Sequence, residues 1–418
     1  VFIRLFKSLF LLLCLSASHA FASDYYVLPK AYYDSIAGRW IYGKKIRIKD
    51  KKIVAIESKG QSSKLPIVDL HDSFLLPGLI DAHAHLFFTQ TKADSSFENA
   101  LQREARLAPA FRMERARTFL KDYLKEGFTT IFDLGNSGHF LDVKLRDEVS
   151  LNENYPLLLV SGPGLSNANG QFPTSASAEL SGAEYTLINE RKPDWKKILT
   201  PYRKNHVEIL KIYFDNDPSP GGLSAEEARS ILQAAGTHFK KITAHAITSS
   251  SMEKTLASGF GHVEHASQFL VDKRMKNFFV TLTGIDRTTL IEFDYFKEPF
   301  YQFQLKVAKE LAKNENKILF GPDFYFHSET SGFSRAKKVK QTLDFFKEAG
   351  FSNKEILSAM TYHPALSVKM DHQIGVIRKG AMANLIVLKK DPLVDINALK
   401  KIECVINKGQ NFCPAGAP

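Results

Sequence analysis

Short, strongly apolar runs alternate with stretches of helical period through the middle of this chain. The runs end near His85, Asp133, Gly162, Tyr213, His245, His265, Thr281 and Asp323. Between them, residues 97–126, 224–235, 252–258 and 301–314 place apolar side chains three and four apart, as a helix with one buried face requires. Eight strands alternating with helices predict an α/β fold, a (β/α)8 TIM barrel. The competing open, doubly wound sheet would carry a Gly-x-Gly-x-x-Gly turn after an early strand, and none is present.

The two ends of the chain have a different texture. Residues 45–48 and 53–56 flank the turn-like Lys49-Asp50-Lys51-Lys52, which predicts a hairpin. Residues 374–377, 384–388 and 402–406 read as further short strands, punctuated by Lys-Gly and Asp-Pro turns. Neither end is large enough to bury a core alone. Pairing them gives a composite β-sandwich subdomain from 23–76 and 370–418, with the barrel occupying 77–369.

Composition and charge narrow the function. A 418-residue chain with 44% apolar and 24% charged residues is ordinary for a globular protein. Its net charge is +11 and its pI about 9.2, but the lysines are scattered and often stand beside acids, as in Lys121-Asp122 and Lys309-Glu310. That is a solvated basic surface, and a nucleic-acid partner is not expected. Arg4, the apolar residues 5–15 and the closing Ala20-Phe21-Ala22 have the layout of a secretory signal peptide over 1–22. The run is short for a membrane span, so an exported, periplasmic or secreted protein is expected rather than one with a retained anchor. Cleavage would leave Cys404 and Cys413, either bridged in an oxidising compartment or as two thiols.

The candidate chemistry lies at the strand ends. His83 and His85 close Leu76-Pro77-Gly78-Leu79-Ile80-Asp81-Ala82-His83-Ala84-His85, and positions i and i+2 of a strand face the same way. Lys211, His245, His265 and Asp323 end later strands, and a parallel barrel gathers all its strand ends on one face. Imidazole and carboxylate ligands suit zinc and other first-row ions. Lys211 stands in the apolar Ile209-Leu210-Lys211-Ile212-Tyr213, where a cation must be paired, with Glu208 or Asp215 for example, or neutral.

With the Glu264-His265 and Gly321-Pro322-Asp323 segments, Thr361-Tyr362-His363-Pro364-Ala365 and the closing stretch from Gly375 to Leu385, the chain resembles the amidohydrolase superfamily. The likeness is to its imidazolonepropionase-like and prolidase-type dipeptidase branch. The resemblance implies two divalent metal ions, zinc first among candidates, and a lysine that takes up carbon dioxide as a bridging carbamate, here Lys211. His83, His85 and Asp323 would hold one ion, and His245 and His265 the other. Asp323 would serve as the proton acceptor for a water that attacks an amide, peptide or cyclic amide of a small substrate. The same site could open a lactone or ester, or persist in a catalytically silent binding protein, and an oligomer is compatible with either. Gly170-Gln171-Phe172 stands where peptidase-like relatives carry Gly-Gly-His, so Gln171 is the substrate candidate there.

Other residues have smaller roles. His139 and His327 follow the second and eighth strands and are candidate substrate contacts. His262, three residues before His265, is expected on the opposite face as a packing or surface histidine, and His363 as structural. Asp81 is expected to share the inward face of His83 and His85 and, like Asp133, to support them by hydrogen bonds.

Overall fold

The computed structural model describes residues 24–167, 184–188, 193–214, 222–268, 271–284, 298–314, 316–327 and 334–413. The expected leader over 1–22, Gln171 and Asp215 lie outside them.

Both ends of the chain enter one eight-stranded sheet. Strands β1 (Asp24–Asp34), β2 (Arg39–Tyr42), β3 (Lys44–Lys49), β4 (Lys52–Ser58) and β5 (Ile67–Pro77) come from the first part. The middle of the chain supplies β6 (Leu79–Ala84), β7 (Phe128–Asp133), β8 (Leu157–Val160), β9 (Gly164–Asn167), β10 (Tyr185–Ile188), β11 (Ile209–Tyr213), β12 (Lys241–Thr248), β13 (His262–Gln268), β14 (Phe279–Leu282) and β15 (Lys317–Phe320). From the end come β16 (Leu385–Leu388), β17 (Cys404–Asn407) and β18 (Gln410–Asn411). The terminal sheet runs β18-β17-β16-β5-β1-β3-β4, with β2 on β1, and the expected hairpin is β3–β4. Its joint is β16 antiparallel to β5, where Leu385 faces Pro77 and Leu388 faces Phe74. Val27, Ile46, Leu75, Leu385 and Ile406 form a core of their own there. Cys404 and Cys413 are bonded to each other across this edge.

The expected strand at 374–377 does not form. Gly375 turns into the left-handed region at φ +69°, and Ser35 Oγ donates to its carbonyl. A Cβ at that position would lie 2.3 Å from the Thr361 carbonyl, so only glycine fits.

The middle strands are parallel throughout. β6-β7-β8 form one sheet and β10-β9-β11-β12-β13-β14-β15 another. The amide of Asp323, just past β15, donates to the His83 carbonyl in β6 at 3.1 Å, tying the last strand to the first. Helices separate most of the successive strands, and the α/β alternation is consistent with a TIM-barrel-type fold. Strand side chains divide by parity. In β11, Leu210 and Ile212 pack with the helices, while Ile209 joins Phe132, Leu159 and Leu319 in a separate cluster. Lys211 and Tyr213 therefore share the Ile209 face.

Helix bounds depart from the sequence reading where proline intervenes. The expected helix at 97–126 is two helices, Phe97–Arg106 and Pro109–Lys125. Pro109 excludes helical geometry from Ala108, whose ψ is 134°, and restarts the helix as its first residue. Ser224 and Glu227 form a reciprocal cap at the start of Ala225–Ala235. The other two helices run Ser249–Ser258 and Glu298–Leu311. β9 and β10 were not anticipated; Gly164-Leu165-Ser166-Asn167 holds a single apolar side chain and shows no strand pattern.

Candidate metal centre

His83, His85 and Asp323 place one nitrogen or oxygen each within 4.8 Å of one another. Asp323 Oδ1 lies 3.2 Å from His85 Nε2 and 3.6 Å from His83 Nε2, and its Oδ2 lies 3.6 Å from His265 Nδ1. The His265 ring centre is 4.9 Å from that of His83 and 4.0 Å from that of His245. Lys211 is buried on the neighbouring strand, and its register partner is Thr243, one inward position below His245. The fold thus brings the whole expected ligand set to one end of the strands.

Two backbone departures make this possible. On β13, Val263 packs with the helices, so alternation turns Glu264 to the opposite side and would send His265 back with Val263. His265 instead takes φ +81°, and both consecutive side chains face His83. Asp323 likewise takes φ +56°. Such conformations are strained for residues other than glycine and concentrate at functional sites. They also correct the expectation for His262. The parity rule that set it opposite His265 fails at the turned residue, and alternation leaves it on the side of Glu264. Its packing role stands, since it stacks flat on Phe279 at 4.7 Å.

The hydrogen-bond pattern shows what the site lacks. Among the described residues, Nε2 of His83, His245 and His265, Nζ of Lys211 and Oδ1 of Asp323 are buried without a hydrogen-bond partner. Buried polar atoms are ordinarily paired, so five orphans converging on one spot fit a site built for cations. Burial drives His83 down to about 4, helped by the nearby Lys211 ammonium, and drives His245 and His265 well below the usual imidazole value. Neutral rings keep their lone pairs for a metal. For Asp323 burial acts upward, but His83, His85 and Lys211 outweigh it and hold the carboxyl low and ionised. Burial also lowers Lys211 to about 8. Of its two proposed salt-bridge partners, Glu208 is engaged by Arg146 at 3.1 Å.

Supporting residues fix the ligands. His83 Nδ1 meets Glu264 Oε2 at 2.9 Å, and His85 Nδ1 meets the Gly135 carbonyl at 3.1 Å. Asp81 accepts the His83 amide at 3.0 Å, as expected of it, while its electrostatic neighbours are Tyr123 and Arg335. Asp133 accepts the Leu86 amide, and His363 Nδ1 meets the Ile318 carbonyl. Two further substrate candidates lie among the described residues. His139 is exposed, and the His327 ring meets Phe119 edge-on at 6.2 Å.

Sequence reading missed Lys241, Thr243 and Gly321. The first two were legible as an alternating series ending in His245. A Cβ on Gly321 would lie 2.7 Å from both the amide nitrogen and Cβ of His83. That histidine cannot retreat, because Asp81 holds its amide and Asp323 its carbonyl. Gly321→Ala is expected to destabilise the protein by about 1–3 kcal/mol. It should also lower the divalent metal retained per chain, the two effects being read by thermal unfolding and elemental analysis; unchanged values in both would contradict the close packing.

The imidazolonepropionase of Thermoanaerobacter pseudethanolicus is 22% identical over 373 residues, covering 82% of this chain and 83% of that protein. Ochratoxinase of Aspergillus niger is 21% identical over 363 residues, covering 79% and 73%. Among solved structures, a Xaa-Pro dipeptidase with bound methionine superposes with TM-score 0.77 at 19% identity, covering 94% of this chain and all of the other. The amidohydrolase family profile matches residues 74–299 and 303–411. That match spans the strand ends just described and the last three strands of the terminal sheet, and the chain belongs to the amidohydrolase family, hydrolases of carbon–nitrogen bonds.

Proposed function

We propose that the protein is an exported, binuclear metal-dependent amidohydrolase that cleaves an amide, peptide or cyclic amide bond in a small substrate. The observation that carries this reading is the convergence of five unpartnered, buried donor atoms from five strand ends. His83, His85 and Asp323 would hold one divalent ion, His245 and His265 a second, and carbamylated Lys211 would bridge them. When bound, such ions polarise a carbonyl and acidify water enough for attack at neutral pH. Asp323, ionised and central, takes the proton from the attacking water and passes it to the leaving nitrogen. Lys211, buried and without a hydrogen-bond partner, is the amine that carbon dioxide uptake requires.

On this reading the parallel strands close into a (β/α)8 barrel over 77–369. The terminal sheet folds into a sandwich from 23–76 and 370–418. The bonded Cys404–Cys413 pair supports export to an oxidising compartment, where such bonds persist. Imidazolonepropionase and Xaa-Pro dipeptidase among the similar proteins support cyclic amides and peptides as the substrate classes.

The test is elemental analysis of protein purified with zinc and bicarbonate, followed by a panel of dipeptides, cyclic amides and lactones. Two ions per chain and turnover of an amide are expected. A chain with one ion, or one that opens only lactones, would overturn the proposal.

A further inference from the structure

The three proposed ligand histidines whose Nδ1 contacts are defined are not held alike. His85 rests on a neutral backbone carbonyl, at 3.1 Å from Gly135. His265 Nδ1 has only the Thr283 hydroxyl at 3.4 Å and Asp323 at 3.6 Å. His83 alone among them is gripped by a separate carboxylate, Glu264, at 2.9 Å.

Glu264 is itself anchored from below. Its other oxygen accepts Lys241 Nζ at 2.7 Å and Thr243 Oγ1 at 2.6 Å, and the carboxylate and the lysine are both fully enclosed. Lys241, Thr243 and His245 are successive inward positions of β12, so one strand supplies both the support for Glu264 and a ligand of the opposite metal position. A lone buried carboxylate would be driven to neutrality. Two donors, one of them charged, let Glu264 stay an anion that holds His83 with Nδ1–H toward itself and Nε2 toward Asp323. Such a partner orients a ligating imidazole and strengthens its donor nitrogen.

We propose that the Lys241–Glu264 pair makes the two metal positions unequal. The ion at His83, His85 and Asp323 is the tightly held one, and the ion at His245 and His265 exchanges. The inference rests on the binuclear reading, and Glu264 acts as a positioning residue without touching substrate.

Zinc-loaded full-length protein is dialysed against a graded series of chelator, and the zinc retained per chain is counted. Wild type should lose its ions in two separated steps, and His245→Asn should abolish the earlier one. Glu264→Gln should move the later step to free zinc levels 10–100-fold higher, so the two steps merge. Thr243→Val removes one anchor of Glu264 without uncovering a charge. It should move the same step by less, and it serves as the test where Glu264→Gln does not fold. Loss of both ions in one step by wild type would overturn the inference. So would a later step untouched in the variants, or an equal shift of both steps, which marks general loosening. Fewer than two ions before any chelator is added would instead sink the binuclear reading itself.

Discussion

Asp323→Asn is expected to lower kcat by about 10²–10⁴-fold while zinc content stays at the wild-type level. The carboxyl stands 3.2 Å from His85 Nε2 and 3.6 Å from both His83 Nε2 and His265 Nδ1, between the two proposed metal positions. Its cationic and imidazole neighbours hold it ionised against burial, so a proton acceptor is ready where the attacking water would lose its proton. Asparagine keeps the shape and one coordinating oxygen but cannot take that proton. Steady-state kinetics on the amide found by the substrate panel, with metal analysis of the same samples, separates the two roles. If excess zinc restores the variant, Asp323 is only a ligand and the proton-transfer role fails.

Lys211→Met should have a comparable effect by a different route. Losing the bridging group is expected to reduce zinc from two ions to one per chain. Losing the second ion's charge stabilisation, several kcal/mol, corresponds to about 10³-fold or more in kcat. Methionine fills similar space and removes a buried amine that has no partner, so the thermal unfolding midpoint of metal-free protein should not fall. In wild type, ¹³C-labelled bicarbonate should give a carbamate resonance and raise zinc uptake, and the variant should show neither. Absence of that resonance from active, two-ion wild type would leave Lys211 as a buried amine without the bridge.

The proposed ligand set was legible because its members lie within or at the ends of apolar runs, and a parallel arrangement brings such runs together whatever their distance along the chain. His83, Lys211 and His245 needed only that rule. His265 and Asp323 lie beside His83 although simple alternation fails for His265, whose φ of +81° nothing in the residue type announces. The same turn explains why His262 was assigned to the wrong side. Pro109 did announce a break, and the helix reading passed over it. The strand expected at 374–377 failed for a longer-range reason: the Thr361 carbonyl occupies the space beside Gly375, a contact no local pattern contains. Glu264 was visible as a neighbour of His265, but its role depends on Lys241 and Thr243 from another strand. Support of that kind is assembled by the fold, so residue order gives little sign of it.

Because Leu385–Leu388 pairs with Phe74–Pro77, the strand that leads directly into His83 has its neighbour more than three hundred residues downstream. A chain emerging from the ribosome cannot complete that edge until residues 385–388 are free. More than three hundred residues are therefore made while the approach to His83 still has one side open.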